Sequence, residues 1–515
     1  MISSNKLNLD NLAERLREYG IAVTQVSTAE VLGVSSDSRT VRTGDLFAAL
    51  PGLTVDGNKF ATHALSLGAT AILTAKKSKI FQAQLIVDDV NLALGVLSCT
   101  IFKSQVQQKL SVGVTGTNGK TSISFLVAQA ISLLDGMAVY GGTLGLKVMS
   151  AGKELEEGVD TNTTSPESVK FHSYLARYPN SRGFAVEVSS MALDQKRLCG
   201  LELDVAVFSN LTRDHLDYHK TLDNYFEAKK SLFLRDLRQS SKTEKIAVLN
   251  IQPENLRKFA EELKDLKFNL RGYSTDFNIN ADYPITRLVK HKLLLSGTSF
   301  DFEIDGETYH AESRLIGHYN LENLLAVITV LIALQYPIQK VLEVLPKLSG
   351  VPGRVQPVEI GHKNAPTVLV DYAHTPDALE NALSSVRQLV KGRLITVFGC
   401  GGDRDKGKRP LMAEVASRLS DLTILTSDNP RTEAPESIIE DARKGLIPGS
   451  SCLSIVDRKE AIFEAILEAT ASDTVIIAGK GHEPYQEING VRYRFLDEEV
   501  TRLALQRKFN SVSVG

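Results

Sequence analysis

The sequence predicts an α/β protein of three domains in which helices cover mostly parallel sheets. Beyond residue 108, short β-branched strands alternate with helical patterns, which is typical of such sheets. The chain of 515 residues is also too long for a single hydrophobic core. We expect a small α/β domain at residues 1–107, a central domain at 108–349, and a Rossmann-like α/β domain at 350–515.

Composition restricts the class of protein. Apolar residues make up 43% of the chain and charged residues 23%, which is ordinary for a soluble globular protein. The net charge of −2 argues against a nucleic-acid partner. No apolar run approaches the roughly 20 residues that span a bilayer, and the start lacks the apolar core of a signal peptide. The four cysteines are scattered without metal or disulfide spacing. We therefore expect a cytoplasmic enzyme with no membrane partner.

The first two sections differ in their strand patterns. The first mixes helices with short strands at Ala71–Leu73 and Gln84–Val87 and carries no nucleotide signature. A segment near Lys290–Ile304 alternates apolar and polar residues, which indicates an antiparallel appendage. A turn cluster at Leu348–Gly353 indicates a boundary. The strands predicted for the central section are Val112–Thr115, Phe184–Val188, Val205–Phe208 and Ala247–Leu249.

A glycine-rich turn follows the first central strand. Ser111-Val-Gly-Val-Thr-Gly-Thr-Asn-Gly-Lys-Thr-Ser122 leads into a helical pattern of apolar residues. Such a turn leaves backbone N–H groups unpaired at a helix start, where the helix dipole also favours an anion. Lys120 would reach the β- and γ-phosphates of a nucleotide, and the Thr121 hydroxyl would ligate Mg²⁺.

The turn departs from the strict phosphate-loop pattern. That pattern places Gly where this chain has Val114. The alternative is an ordinary strand–turn–helix junction. We favour a P-loop-type nucleoside triphosphate site, whose predicted binding residues are Gly116, Thr117, Asn118, Gly119, Lys120, Thr121 and Ser122.

Two further features of the central section have the chemistry of metal ligands. Glu187 ends an apolar strand, where a carboxylate can help hold a Mg²⁺ ion that bridges phosphates; a structural salt bridge is the alternative. His215 and His219 are four residues apart, which on a helix resembles a zinc site. The catalytic Glu of the zinc motif and a third soft ligand are missing, so a magnesium or substrate role is favoured.

Polar loops follow the predicted strands of the last section. Ligands of open α/β sheets bind outside the carboxyl ends of the strands, and every polar cluster here falls at such an end. Loops that merely aid solubility would explain the charges but not the recurrent glycines with Arg, Asp and Glu. The strands are Thr367–Val370, Leu394–Phe398, Leu422–Leu425 and Thr474–Ile477, and the loops are Asp371–Pro376, Gly399–Pro410, Ser427–Arg431 and Gly479–Glu483. This section is predicted to bind a small polar molecule.

The ordered motifs closely resemble those of the Mur ligases, the ATP-dependent amino-acid-adding enzymes of peptidoglycan synthesis. The motifs are Thr115-Gly-Thr-Asn-Gly-Lys-Thr121, Glu187-Val-Ser-Ser190, Asn210-Leu-Thr-Arg-Asp-His-Leu-Asp-Tyr-His219, Gly317-His-Tyr-Asn-Leu-Glu-Asn323, Pro352-Gly-Arg354 and Asp371-Tyr-Ala-His-Thr-Pro376. Others resemble the branch that adds the third peptide residue: Ser36-Asp-Ser-Arg39, Gly44-Asp-Leu-Phe47, Gly401–Arg409, Asp428-Asn-Pro-Arg431 and Gly479-Lys-Gly-His-Glu483. One departure is Met191, where relatives usually carry His.

The resemblance implies a mechanism with ATP as co-substrate and Mg²⁺ as cofactor. The γ-carboxylate of D-Glu in UDP-MurNAc-L-Ala-D-Glu would attack ATP, and an amino acid's amine would then attack the acyl phosphate. The implied catalytic residues are Lys120, Glu187, His215 and Lys229. The implied metal ligands are Thr121, Glu187, His215 and Lys229, the last as a carbamate (N6-carboxylysine). Three further residues are implied to bind ATP: Asn320, Asn323 and Arg354.

The resemblance also assigns the two other substrates. The UDP-sugar peptide would bind Ser36, Ser38, Leu53, Thr54, Val55, Asn162, Thr163, Thr164, Ser189, Gln195 and Arg197. The added amino acid would be meso-diaminopimelate, bound by Arg404, Asp428, Asn429, Pro430, Arg431, Gly479 and Glu483. Arg431 suggests this choice, because an arginine fork suits the second carboxylate that lysine lacks. A surface arginine in a helix-start turn is the alternative for this motif.

Other functions stay open at this point. The same ligase could add L-lysine, or the chain could be a folylpolyglutamate synthase, although the 107-residue first domain favours a UDP-sugar substrate. A catalytically inactive scaffold is a third possibility, but Lys120, Glu187 and Lys229 are all present. We expect the protein to act as a monomer.

Overall fold

The computed structural model describes residues 7–51, 56–156, 158–161, 163–358 and 360–510. These form two compact units, each described here by itself. The first unit contains the residues up to Lys290, together with Asp301–Ala311 and Glu322–Leu348. The second contains His291–Phe300, Glu312–Leu321 and the chain from Ser349. The boundaries expected near residues 107 and 349 stay predictions.

The first section of the first unit is a five-stranded sheet packed against helices. Its elements are β1 (Leu7–Asn8), α1 (Leu9–Glu18), β2 (Val23–Val26), β3 (Glu30–Val31), β4 (Gly33–Ser35), β5 (Asp45–Ala48), α2 (Ala61–Ser66), β6 (Ala71–Thr74), β7 (Gln84–Val87) and α3 (Val90–Phe102). The sheet order is β2-β7-β6-β5-β4, parallel except for β2. In α1, Leu9, Leu12 and Leu16 share a buried stripe at helical spacing. This stripe joins the section's hydrophobic core.

The central section follows in chain order. Its elements are β8 (Leu110–Thr115), α4 (Lys120–Asp135), β9 (Met137–Gly142), β10 (Gly145–Ser150), β11 (Lys153–Glu154), α5 (Ser168–Arg177), β12 (Gly183–Glu187), α6 (Ser190–Asp194), β13 (Val205–Phe208), α7 (Leu216–His219), α8 (Leu222–Ser231), β14 (Ile246–Asn250), α9 (Glu254–Asp265), β15 (Asn269–Ser274), β16 (Ile285–Leu294), β17 (Gly297–Ile304), β18 (Glu307–Ser313), α10 (His318–Ala333) and α11 (Ile338–Val344). A π-helical turn at Leu232–Leu237 follows α8 directly.

The central sheet brings the ends of three strands together. Its order is β11-β10-β9-β12-β8-β13-β14-β15-β16-β17-β18. Within this spatial order, each strand from β9 to β16 pairs in parallel with the next. Glu187 at the end of β12 is in register with Val114 of β8, and Phe208 of β13 is in register with Thr115. Consequently the carboxylate, the glycine-rich loop and the loop after β13 emerge at one edge.

The predicted appendage consists of β16, β17 and β18 at one end of this sheet. Only two residues, Leu295 and Ser296, separate β16 from β17. So short a connection joins antiparallel strands, because a parallel pair needs a crossover of a dozen or more residues.

The C-terminal section of the second unit has a six-stranded sheet. Its elements are β19 (Gln356–Pro357), β20 (Thr367–Asp371), α12 (Pro376–Arg387), β21 (Leu394–Cys400), α13 (Lys408–Leu419), β22 (Leu422–Ser427), α14 (Pro435–Arg443), β23 (Cys452–Ser454), α15 (Arg458–Glu468), β24 (Thr474–Ala478), β25 (Tyr485–Ile488), β26 (Val491–Arg494) and α16 (Asp497–Asn510). The order is β19-β20-β24-β21-β22-β23, parallel except for β19. The antiparallel hairpin β25–β26 forms its own small sheet.

The C-terminal sheet is buried on both faces. Val368 and Val370 belong to one hydrophobic cluster while Leu369, between them, belongs to another. This alternation is the two-residue period of a strand that helices cover on both sides. The α/β class predicted from the sequence is confirmed. Among the described residues, none of the helices is long and apolar enough to cross a membrane.

Candidate active site

The glycine-rich loop connects β8 to α4 in a conformation that glycine favours. Gly116 has φ of 146° and Gly119, the N-cap of α4, has φ of 82°. The loop packs on the segment after β13: Thr117 N donates to Asn210 O at 2.9 Å, and Asn118 N donates to Asn210 Oδ1 at 2.8 Å. The helix α4 begins at Lys120, directly after this loop, and the dipole at a helix N-terminus favours an anion.

Gly116 has no room for a side chain. A Cβ atom there would lie 1.9 Å from Ser209 Oγ and 3.2 Å from Asn210 N. Ser209 in turn donates to the carbonyls of Thr115 at 3.3 Å and Asn118 at 2.5 Å. Ser209 therefore supports the loop. The sequence analysis did not predict this residue.

The Gly116→Ala variant is expected to lose nucleotide affinity by about tenfold or more, because the clash and the strained φ cost roughly 1–3 kcal/mol and distort the loop. Isothermal titration with ATP measures the loss. Gly136→Ala is the matched control, since Gly136 also has a positive φ of 103°, but a Cβ at that position would have no described atom within 4 Å. Equal affinity in the Gly116 and Gly136 variants would contradict the expectation.

Two lysines approach the same loop carbonyl. Lys120 Nζ donates to Gly116 O at 2.9 Å and to Thr117 O at 2.7 Å. Lys229 Nζ, on α8, donates to Gly116 O at 2.7 Å and lies 4.4 Å from the centre of the Tyr225 ring. Lys229 is only 1% exposed. Burial, and secondarily the charge of Lys120, hold the pKa of Lys229 well below its usual value.

Glu187 lies beside the start of α4. Its Oε2 accepts the Thr121 hydroxyl at 2.9 Å and the Thr143 hydroxyl at 3.2 Å. Its Oε1 accepts Tyr140 OH at 2.5 Å and Thr143 N at 2.8 Å. The Thr121 hydroxyl and the Glu187 carboxylate offer hard oxygen ligands, so these residues fit Mg²⁺. Tyr140 and Thr143 orient this carboxylate, and the sequence analysis missed both.

The two histidines do not form the helical pair that their spacing suggested. His215 precedes α7 with φ of 51°, and its Nε2 lies 3.4 Å from Asp214 Oδ2. His219 is buried, with Nε2 2.9 Å from Ser190 Oγ. Among the described residues no group of three or more His, Cys, Asp or Glu side chains could hold a metal ion. The geometry thus gives no support to the zinc alternative.

The remaining predicted ATP residues divide between the two units. Asn323 Oδ1 would lie 2.8 Å from a Cβ at Gly119, so its amide borders the loop. Asn320 belongs to the second unit, where its Nδ2 donates to Ile316 O at 2.9 Å. Arg354 also lies in the second unit, with its guanidinium 5.9 Å from the Tyr372 ring centre. Ser122 is buried in the first turn of α4.

The residues predicted to bind the UDP-sugar peptide cluster around α6. Ser165 Oγ donates to Ser189 Oγ at 3.1 Å, and Ser189 caps α6 through Ala192 N. Thr163 Oγ1 donates to Ser165 O at 2.8 Å. Gln195, which ends α6, accepts Arg197 Nε at 2.7 Å. Thr164, which follows Thr163 in the chain, is half-buried.

The first section contributes the Ser36–Arg39 loop to the same unit. Ser38 is buried with Oγ 3.2 Å from His63 Nδ1, and Ser36 is half-buried. Hydrogen bonds from Arg39, with a smaller contribution from Lys170 of α5, lower the pKa of Asp37. Four predicted residues lie outside the described part of the chain: Leu53, Thr54, Val55 and Asn162.

In the second unit, the predicted amino-acid residues converge where β21, β22 and β24 end. A Cβ at Gly401 would lie 3.0 Å from Arg431 Nη1 and 3.7 Å from Arg404 Cγ, so both arginine side chains flank one point. A Cβ at Gly479 would lie 2.7 Å from Asp428 Oδ2. Burial raises the pKa of the Asp428 carboxyl.

Asn429 connects this loop to the one after β24. Its Nδ2 donates to Glu483 Oε2 at 2.9 Å, and its Oδ1 accepts Lys480 Nζ at 3.2 Å. Lys480 is fully buried and also donates to Glu483 Oε2 at 3.0 Å. Lys480 neutralises Glu483 and was not among the predicted site residues, although the Gly479–Glu483 motif contains it.

Arg431 is held in a conformation that the motif alone does not reveal. It has φ of 52°, directly after Pro430, and pairs in parallel with Ile488 of β25. Its N donates to Glu487 O at 3.0 Å, and its Nη1 donates to Gly402 O at 2.7 Å. The hairpin β25–β26 therefore fixes the direction of the Arg431 side chain.

Family models match all three sections of the chain. A family model described as "Mur ligase middle domain" matches residues 114–331. Models described as "Mur ligase, glutamate ligase domain" and "Mur ligase family, catalytic domain" match residues 353–481 and 30–104.

Relatives that share one name with each other match nearly the whole chain. The UDP-N-acetylmuramoyl-L-alanyl-D-glutamate--2,6-diaminopimelate ligase of Pseudomonas syringae pv. tomato is 42% identical, over 91% of this chain and 94% of that protein. Its Synechococcus elongatus namesake is 38% identical over 93% of this chain and 94% of its own. A solved structure of a ligase so named has TM-score 0.70 and 36% identity, covering 93% of this chain and 95% of that one. Folylpolyglutamate synthase of Mycobacterium tuberculosis, at TM-score 0.57, 16% identity, and coverage of 75% and 92%, shares the fold alone.

Proposed function

The chain belongs to the Mur ligase family, and we propose that it is the ligase that adds meso-diaminopimelate to UDP-MurNAc-L-Ala-D-Glu in peptidoglycan synthesis. Whole-length relatives at about 40% identity bear that ligase's name. The observation that carries the choice of amino acid is the convergence of Arg404 and Arg431 on one point beside Gly401.

The first step joins the D-Glu γ-carboxylate to the γ-phosphoryl group of ATP, with release of ADP. The start of α4 binds the phosphates through its backbone N–H groups, and Lys120 exchanges its loop carbonyls for phosphate oxygens. Thr121 and Glu187 would hold Mg²⁺, which supplies positive charge to the phosphates when bound. Asn323 borders the loop and would contact the adenine.

The second step forms the amide. The amine of the incoming amino acid attacks the acyl phosphate, the C–N bond forms, and phosphate leaves. Arg404 and Arg431 would together bind a carboxylate of the amino acid, and Glu483 would accept a hydrogen bond from the distal ammonium. Such catalysis consists of positioning and charge neutralisation, with no covalent bond to the protein.

We propose further that the three domains 1–107, 108–349 and 350–515 bind the UDP-sugar peptide, ATP and the amino acid, respectively, and that residues of the central domain such as Thr163, Ser189 and Gln195 also contact the UDP-sugar peptide. The three matched family models cover residues 30–104, 114–331 and 353–481, which supports this division. A cytoplasmic monomer is the form proposed for the enzyme.

The wild-type enzyme is expected to use meso-diaminopimelate and to reject L-lysine, and Arg431→Ala should lower kcat/KM for diaminopimelate by about 10- to 100-fold. Loss of a charged hydrogen-bonding partner costs roughly 1.5–3 kcal/mol. Without Arg431, a carboxylate of diaminopimelate would be buried without its partner, so the site would bind this amino acid less well. ADP release that depends on both the UDP-dipeptide and the amino acid measures the reaction.

Arg418→Ala is the matched control, because Arg418 forms exposed ion pairs with Glu380 and Glu414 in the same unit. That variant should keep the wild-type rate. Equal kcat/KM for diaminopimelate and lysine in the wild-type enzyme would overturn the substrate assignment, and absence of ADP release with any amino acid would overturn the ligase assignment.

A further inference from the structure

The two arginine-bearing loops of the second unit are joined by direct hydrogen bonds. Gly402 N donates to Asn429 O at 2.9 Å, and Arg431 Nη1 returns a bond to Gly402 O at 2.7 Å. A Cβ at Gly402 would lie 1.9 Å from Pro430 O, so the backbones are in close contact. The loops after β21 and β22 therefore form a single layer.

Asp403 and Thr432 form a clasp across these loops. The Thr432 hydroxyl lies 2.8 Å from Asp403 Oδ1 and 2.9 Å from Oδ2, and Thr432 N donates to Oδ2 at 3.1 Å. Asp403 has φ of 53°, a conformation that Asp and Asn adopt more readily than other side chains. The clasp is exposed and polar, so a hydrophobic core does not explain it.

An ion pair between Glu433 and the buried Arg409 anchors the clasp. Asp403 N donates to Glu433 Oε1 at 2.6 Å, and Arg409 binds both oxygens of Glu433 at 2.8 and 3.1 Å. The Arg409 side chain is fully buried. Hydrogen bonds lower the pKa of Glu433 to about 2, and the bond from Arg409 contributes most. The Glu433 carboxylate accepts the Asp403 N–H and so holds the Asp403 backbone in place.

Each half of the clasp adjoins one of the arginines. Arg404 follows Asp403, and Arg431 precedes Thr432. A fixed distance between Asp403 and Thr432 therefore fixes the distance between the two arginine backbones. Two cations that flank one point hold a single carboxylate at that point, and an amino acid too short to reach it leaves both cations unpaired.

We propose that Asp403 and Thr432 are positioning residues that hold Arg404 and Arg431 around one carboxylate position, and that this position selects the chain length of the amino acid. The proposal rests on the proposed function, since it concerns the same amino-acid site. Asp403 and Thr432 thereby have a role in specificity, although neither is one of the two arginines.

The test uses full-length Thr432→Val, Asp403→Asn and the double variant. Val removes the hydroxyl at similar volume, and Asn removes the charge while tolerating the positive φ. The readout is the ratio of kcat/KM for meso-diaminopimelate to that for a diamino dicarboxylic acid one methylene shorter. We expect this ratio to fall about fivefold or more in each single variant, with KM for ATP nearly unchanged. Because both singles weaken the same clasp, the double variant should add little to either one.

Thr470→Val is the matched control, since the Thr470 hydroxyl also forms an exposed bond, 3.1 Å from Ser472 Oγ, and its variant should keep the wild-type ratio. Thermal unfolding should show all variants folded. A uniform loss of rate with both amino acids, or an unchanged ratio in the clasp variants, would overturn the clasp alone. Wild-type enzyme that uses neither amino acid would overturn the proposed function and the clasp with it.

Discussion

Lys120→Ala is expected to fold and to lose formation of the acyl phosphate by a factor of about 10²–10³. The Lys120 ammonium already lies against Gly116 O and Thr117 O, within the loop that would surround the phosphates. It brings a preorganised positive charge to the transferring phosphoryl group, and alanine brings none. Single-turnover ADP formation with the UDP-dipeptide, before any amino acid is added, measures this step in isolation.

Lys245→Ala is the matched control for that experiment. Lys245 Nζ also donates to two backbone carbonyls, Arg238 O at 2.9 Å and Ser240 O at 3.0 Å, but on an exposed segment. The Lys245→Ala variant loses the same kind of contact and should keep the wild-type rate. Near-normal turnover by Lys120→Ala would rule out a phosphate-binding role for the loop.

The strands were predictable because their residues carry a local signal. Val205–Phe208 is β-branched or aromatic at three of four positions and has the predicted bounds, whereas Leu394–Phe398 extends two residues further, to Cys400. Convergence of the polar loops followed from a rule of parallel sheets, since carboxyl ends meet at one edge. That rule brought Asp428 and Gly479 together without any knowledge of their contacts.

Other parts of the candidate site were not predictable, because they depend on residues distant in the sequence. The positive φ of Arg431 requires the β25–β26 hairpin, which begins more than fifty residues later. On a helix the spacing of His215 and His219 would place both on one face, but the helix begins only at Leu216. The support of Gly116 by Ser209 depends on β13 lying beside β8. Sequence spacing gives the side chains but not these tertiary constraints.

Lys229→Ala is expected to be nearly inactive and to be partly rescued by short carboxylic acids such as acetate. Lys229 is 1% exposed, and burial holds the pKa of its amine well below the usual value, which shifts the equilibrium toward the neutral form. A neutral amine can attack CO₂, forming an N–C bond and releasing a proton, which leaves a carbamate anion. Its oxygens would lie beside Gly116 and could help hold a second Mg²⁺, whereas an ammonium could not.

Lys230→Ala is the neighbouring control. The Lys230 ammonium pairs with Glu227 at 3.1 Å and Glu262 at 2.7 Å, and these partners raise its pKa, so it stays charged and does not attack CO₂. This variant should keep its rate and gain nothing from acetate. Rescue confined to the Lys229 variant would show that the site needs a carboxylate where the amine stands. A high-resolution crystal structure of active enzyme prepared with bicarbonate, with Lys229 unmodified, would refute the carbamate, because the anion it supplies would then be missing from a working site.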